Sequence, residues 1–177
     1  MKKLFLFSLL VTAMILTACG NKSTQSEEQM QESNYYEDDF DYGCWEESYV
    51  DLGLPSGTLW SEENEDCGLI SYEEAMSLYG NNLPTKKQWE ELTEKCTLSW
   101  EECGMLATGP NGNSIILPVT GFCMCDGYID MNTYSYGYYW SSTPNGAGYA
   151  WGLAFGANGG DMYGNPICGG QAIRLVH

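Results

Sequence analysis

Two helix-start signals lie within residues 71–96, and beyond Cys96 the pattern is one of strands and turns. Ser71-Tyr72-Glu73-Glu74 reads as a capping box, in which a Ser hydroxyl and a Glu carboxylate satisfy each other's orphan backbone N–H groups. Ala75, Met76, Leu78 and Tyr79 follow, and Gly80 supplies the stop. Thr85 to Gln88 forms a second box after Leu83-Pro84. Trp89, Leu92 and Cys96 then share one helical face, with Glu90, Glu91 and Glu94 pointing outward. Pro84 and Trp89 occupy the two hydrophobic-staple positions, which assigns Trp89 to the core. After Cys96, 105–108 and 114–119 flank Gly109-Pro110-Asn111-Gly112-Asn113, a hairpin signal with Asn-Gly at its tip. Residues 121–170 are rich in Gly, Tyr, Trp and Asn and poor in charge. Within them 138–142 and 149–155 read as strands, 156–160 and 169–170 as tight turns, and 173–176 as a closing strand. Helices early and antiparallel strands later define an α+β pattern, two short helices packed on twisted sheets with long Gly/Tyr-rich loops.

The N-terminus carries an address. Met1-Lys2-Lys3 precedes an almost wholly apolar run from Leu4 to Leu16 and then Leu16-Thr17-Ala18-Cys19-Gly20. A positive segment, a short apolar stretch and small residues at a cut point make a secretory signal, 1–18. The run falls short of the roughly 20 apolar residues that span a bilayer. Cysteine at the cut point marks a lipoprotein, because its thiol accepts diacylglycerol before cleavage. Several acyl chains on Cys19, at about 0.8 kcal/mol per buried CH₂, give stable attachment. Such processing is bacterial. Asn21 in place of Asp removes an inner-membrane retention signal, so the expected location is the outer membrane, at the cell surface or on its periplasmic face.

Seven basic residues face 24 acidic ones, a formal charge of −17. Lys2 and Lys3 leave with the signal, making the exported chain more acidic still. Nucleic acid and anionic headgroups are therefore disfavoured partners. Residues 19–47 combine the lipidated cysteine with acid-rich runs and almost no aliphatics, so they read as a tether that cannot offset its own ordering entropy. Residues 48–177, about 130 in all, suffice for one domain with a core. Besides Cys19 there are Cys44, Cys67, Cys96, Cys103, Cys123, Cys125 and Cys168. An exported chain with seven such thiols is expected to form up to three bridges with one thiol free, in a connectivity that spacing does not reveal. Cys123 and Cys125 flank one residue and are expected to pair elsewhere than with each other. A zinc site from Cys96, Cys103, Cys123 and Cys125 is disfavoured by its spacing and by the lack of any histidine except His177.

Several segments resemble a known family. The run Val50-Asp51-Leu52-Gly53-Leu54-Pro55-Ser56-Gly57-Thr58-Leu59-Trp60 is similar to the opening of the Fibrobacter succinogenes major paralogous domain, abundant in Bacteroidota surface proteins. Leu83-Pro84-Thr85 with Trp89-Glu90-Glu91-Leu92 and Cys96-Thr97 resembles its middle. Asn111-Gly112-Asn113-Ser114-Ile115, Leu117-Pro118 and Gly121 follow in order, then Tyr139-Trp140-Ser141-Ser142 and Ile173-Arg174-Leu175-Val176. The resemblance covers residues 50–177. It implies a fold akin to C-type lectins and the formylglycine-generating enzyme, in a family rich in lipoproteins. Two departures stand out. The long Gly, Tyr and Trp-rich insert of the family is reduced here to residues 61–82, and the additional cysteines are atypical.

The expected function is a non-catalytic, lipid-anchored binding module for a glycan or a surface protein, with a structural docking subunit as the alternative. Lectin-like scaffolds concentrate binding on loops. The late loops around Asn145, Trp151, Asn158, Asp161, Tyr163 and Asn165 offer the aromatic faces and amides that recognise sugars. Calcium-dependent binding needs six to eight oxygens, whereas only Asp126, Asp130 and Asp161 follow Glu102. Ser142-Thr143-Pro144-Asn145 has the Pro-Asn of the lectin sugar motif without its acidic residue. No cofactor or metal is expected. Formylglycine generation uses a copper-binding cysteine pair near the chain end, and Cys168 stands there alone. His177 is terminal and makes a poor triad base. Glu73-Glu74, Glu90-Glu91 and Glu101-Glu102 read as solvated faces and not as a glycosidase pair.

Overall fold

The computed structural model describes residues 48–130 and 135–177, which all fall within one contact unit, Tyr42–His177. The signal, Cys19, the acidic tether and Cys44 lie outside the described residues. Ten strands and two helices among the described residues make the expected α+β class, with three short strands ahead of the helices where helices were expected first. They are β1 (Tyr49–Asp51), β2 (Leu59–Ser61), β3 (Ile70–Ser71), α1 (Tyr72–Tyr79), α2 (Lys86–Lys95) and β4 (Thr97–Glu101). Then come β5 (Gly104–Thr108), β6 (Ser114–Pro118), β7 (Tyr136–Pro144), β8 (Tyr149–Gly156), β9 (Gly159–Pro166) and β10 (Gly170–Gln171). Every sheet is antiparallel: β1-β2, β3-β10, β4-β5-β6 and β7-β8-β9.

The helices begin where their caps dictate. Ser71 Oγ accepts the Glu74 N–H at 3.3 Å. At α2 the reciprocal box is complete, Thr85 Oγ1 accepting from Gln88 N while Gln88 Oε1 accepts from Thr85 N. Trp89 and Leu92 are wholly buried and Cys96 nearly so. One glutamate departs from the expected outward face. Glu91 Oε1 accepts the Ser56 N–H at 3.0 Å and its Oε2 is buried, because the Gly57 turn of the opening segment packs back towards α2.

The β5–β6 hairpin turns at Gly109–Asn113, where Gly109 N donates to Asn113 O and Gly112 takes a positive φ of 90°. The Asn111 and Asn113 side-chain amides both donate to Asp51 O at 2.8 Å, tying the hairpin tip to β1. Two late segments differ from expectation. Residues 159–166 form a strand, β9, although Gly, Asn and Pro are poor strand formers. Its ladder with β8 supplies what propensity does not, and its exposed edge position tolerates Pro166. Conversely, residues 173–176 form no extended strand, and only Val176 bridges antiparallel to Trp60 of β2. This segment threads between elements, with Ser61 N donating to Leu175 O, Val176 N to Asn82 O and His177 N to Leu59 O. Its backbone is satisfied piecemeal, so it is buried without forming a ladder.

The two faces of β7-β8-β9 enter different cores. Tyr139, Leu153 and Phe155 join Trp60, Trp89, Leu92, Met105 and Leu117 in one cluster. Trp140 and Ala150, on the opposite face, join Ile70, Ala75, Leu83, Ile173 and Leu175. Tryptophans bridge them: Trp89 Nε1 donates to Trp140 O and Trp140 Nε1 to Ile70 O. One disulfide, Cys125–Cys168, closes a sequence separation of 43. The expectation of further bridges is corrected among the described residues, where Cys67, Cys96, Cys103 and Cys123 are free. Cys96 serves instead as a small core residue at the end of α2, a common use of buried cysteine.

Candidate functional site

The outer face of β7-β8-β9 is covered at one end by the second core and open at the other. Direct cross-strand partners share a face, so the register lays out the open half row by row. Tyr138, Ala154 and Asp161 form one row, and Tyr136, Gly156 and Gly159 the next. The central strand thus contributes only small residues as a floor. Its large residues, Leu153 and Phe155, point into the core. Tyr136 and Tyr138 rise on one flank and Tyr163 on the other, while Asn158 and Asn165 complete the rim. The result is a cleft of about 540 Å³.

The walls are aromatic and accessible. Tyr136 and Tyr163 are about half exposed, and Tyr138 is half-buried against Phe122, ring centroids 4.9 Å apart. Burial pushes the Tyr138 phenol above its usual range, helped by the neighbouring Tyr136, Asp130 and Tyr163. It therefore remains a protonated donor at neutral pH. Asp161 Oδ1 accepts its neighbour's Met162 N–H at 2.7 Å, and Asn165 Nδ2 donates to Tyr163 O at 3.1 Å, which positions both polar groups beside the floor.

A smaller cleft of about 210 Å³ adjoins the first, with Asn165 lining both. Its walls include Phe122, Met124 and Pro166, and Gln171 is also among its lining residues. Gln171 is 3% exposed, and its Oε1 has no hydrogen-bond partner. The amide fits over Gly152, where a Cβ would come within 2.6 Å of Gln171 Oε1 and 3.0 Å of Asn165 Nδ2.

Of the residues expected from sequence, Asn158, Asp161, Tyr163 and Asn165 are brought together on this cleft. Three of them stand on strand β9, not on a loop, which corrects the loop placement. Trp151 and Asn145 are elsewhere. Trp151 is on strand β8 and pairs with Gly164, on the face opposite the cleft, where Lys86 Nζ lies 3.8 Å above its ring. The Asn145 amide packs beside Gly164 on that same side. Tyr136, the small-residue floor and Gln171 were not among the expected residues. A signal for the floor does exist in Gly152-Leu153-Ala154-Phe155-Gly156, whose small residues recur with period two.

Among the described residues no group of three or more His, Cys, Asp or Glu gathers as a metal site would require, and Cys125 is committed to its bridge with Cys168. His177 packs beside Tyr49 in a tilted pair, ring centroids 5.8 Å apart. Among the same residues no helix is long and apolar enough to cross a membrane. Comparison with protein-family models, curated proteins and solved structures finds no match for this chain.

Proposed function

We propose that this chain is a lipid-anchored bacterial surface protein whose domain binds a glycan, without catalysis, in the tyrosine-flanked cleft of β7-β8-β9. In this reading the domain is a lectin-like member of the major paralogous class, exported by residues 1–18 and attached to the outer membrane through Cys19. The observation that carries the glycan assignment is the cleft's construction. A flat floor of Ala154 and Gly156 lies between aromatic walls, with amides and one carboxylate on the rim. Sugar rings offer an apolar face to stack on tyrosine and hydroxyls for Asn158, Asp161 and Asn165, the mixture of apolar surface and a few placed polar groups that marks ligand sites. The acidity of the chain favours neutral glycans over anionic ones.

A glycan array probed with the full chain purified in detergent, with and without calcium, tests the assignment. Selective binding is expected, with Tyr163→Ala weakening it at least about tenfold, equivalent to 1.4 kcal/mol, and Trp151→Ala leaving it intact. A blank array from folded protein would reject the glycan and favour docking of another surface protein. Met124, Tyr128 and Ile129, all more than 40% exposed, support that second reading. The anchor is tested separately by incorporation of a clickable fatty acid in a bacterial host, which Cys19→Ser should abolish.

A further inference from the structure

We infer that the tyrosine cleft selects a sugar bearing a free amino group, whose ammonium settles between the rings of Tyr136 and Tyr138 and the Asp161 carboxylate. This rests on the glycan reading of the cleft and adds to it the charge of the sugar. The register sets the geometry. Tyr138, Ala154 and Asp161 are direct cross-strand partners in one row. Neighbouring strands lie about 4.8 Å apart, so the aromatic and acidic walls stand about 10 Å apart at the backbone. Between them the floor is the single methyl group of Ala154. A gap of that width admits one pyranose ring whose substituents reach either wall.

Both walls favour a cation. The Tyr136 and Tyr138 ring centroids are 6.5 Å apart and the rings are tilted by 44°. One cation can therefore lie within the roughly 6 Å of both centroids over which a ring attracts positive charge. The Tyr136 ring lies across Gly156, where a Cβ would come within 2.7 Å of it, so the pair makes a corner at one end of the floor. Opposite, Asp161 is exposed, and its Oδ1 accepts the Met162 N–H. That bond holds the carboxylate in place and uses one of its roughly four acceptor positions, leaving the others for a ligand. Among the described residues no Lys, Arg or His lines the cleft. Lys86 pairs with Glu90 and lies over Trp151 on the opposite face, and Arg174 is buried. A second carboxylate deepens the negative potential. Asp130 N donates to Phe122 O at 3.2 Å, and Phe122 packs on Tyr138. A sugar hydroxyl is served by the Asn158 and Asn165 amides and makes no use of the charge on Asp161. An ammonium uses both walls, giving a charge-assisted hydrogen bond to Asp161 while resting against the rings. An acid that merely kept the β9 edge from pairing would need no aromatic corner facing it across the floor.

Calorimetry with chitotriose and cellotriose tests this, since the two share a β-1,4-linked glucose backbone and carry an amine or a hydroxyl at carbon 2. The full chain in detergent is used at about pH 6, below the range in which such amines release their proton. Chitotriose should bind at least about tenfold more tightly, and raising salt from about 0.02 to about 0.2 M should shrink that preference. Asp161→Asn should erase the preference and retain cellotriose binding, because an amide oxygen still accepts the Met162 N–H. Tyr163→Ala should weaken both sugars. The unaltered protein offers a second readout. Carbodiimide joins a carboxylate to an amine in contact with it as an amide and leaves as the urea. It should couple chitotriose to Asp161 ahead of the other acids, as read by peptide mapping, and this decides the matter if Asp161→Asn does not fold. Attraction to the overall acidity of the chain would instead scatter the coupling over exposed acids and survive Asp161→Asn. Either result would overturn the ammonium site, as would equal affinities or an array that selects only glycans lacking a free amine, and in these cases the glycan reading stands. Failure of both trisaccharides together with a blank array would overturn the ammonium site and the glycan reading alike.

Discussion

Tyr139 and Arg174 are the two largest titratable side chains that are wholly buried among the described residues. The Arg174 guanidinium is wholly buried, donating to Ser61 O at 2.9 Å and to Ile116 O at 2.6 Å. Burial pushes its pKa down, and the neighbouring Tyr139 and Glu63 oppose that shift. Tyr139 donates its hydroxyl hydrogen to Pro118 O and accepts from Asn64, both at 2.9 Å. Burial raises its pKa to about 12, against smaller lowering contributions from Asn64 and Arg174. The consequence for stability has a definite sign. An unfolded phenol ionises near pH 10, so between pH 10 and 12 the unfolded chain has released a proton that the folded chain keeps. The stabilisation is fully present below pH 10 and is lost as pH rises, by about 2–3 kcal/mol at most. Urea unfolding of Tyr139→Phe should show a loss of about 1–2 kcal/mol at pH 9 from the missing hydrogen bonds, and a shallower decline from pH 9 to 12. Some slope should persist, because Tyr79 is raised to about 12 and Tyr72 is raised too. Neither burial was readable locally, since Tyr139 sits in a run of aromatics and Arg174 in what resembles an ordinary strand.

At the scale of elements, α2 was legible because its start is local chemistry. The Thr85–Gln88 box is made within four residues and would form in any fold that admits the helix. Thr85→Ala should cost about 1 kcal/mol, measured as a lower urea midpoint with an unchanged slope. The β5–β6 hairpin was legible for the same reason, its Asn-Gly turn setting the register of both arms. Strand β9 was not. Gly159-Gly160-Asp161-Met162-Tyr163-Gly164-Asn165-Pro166 reads as loop by composition, and only the β8 edge beside it makes it a strand. The same failure displaced the binding residues. Grouped around the late loops, Asn145, Trp151 and Asn158 to Asn165 are equivalent. On strand β8, parity puts Trp151 on the face opposite the cleft, because successive side chains point to opposite faces, and Asn145, in the turn after β7, packs beside Gly164 on that same side.

Across the whole molecule, the Cys125–Cys168 bridge closes the one covalent loop among the described residues, which contains β7, β8 and β9. Constraining a loop of this length in the unfolded chain contributes about 2–4 kcal/mol. The double variant Cys125→Ser/Cys168→Ser should therefore melt about 10 °C lower than the oxidised protein, and reductant should bring the unaltered protein to the same temperature. Sequence by itself determined the features that depend on neighbours along the chain: both helix starts, the hairpin turn and the α+β class. The tertiary structure alone decided which cysteines meet, that 173–176 threads between elements, and that the Gln171 amide is buried over Gly152. The division has one physical cause. Caps and turns are satisfied by hydrogen bonds within a few residues. Pairing across a sheet and burial of an amide depend on what the rest of the chain brings alongside, and that information is spread over residues far apart in sequence.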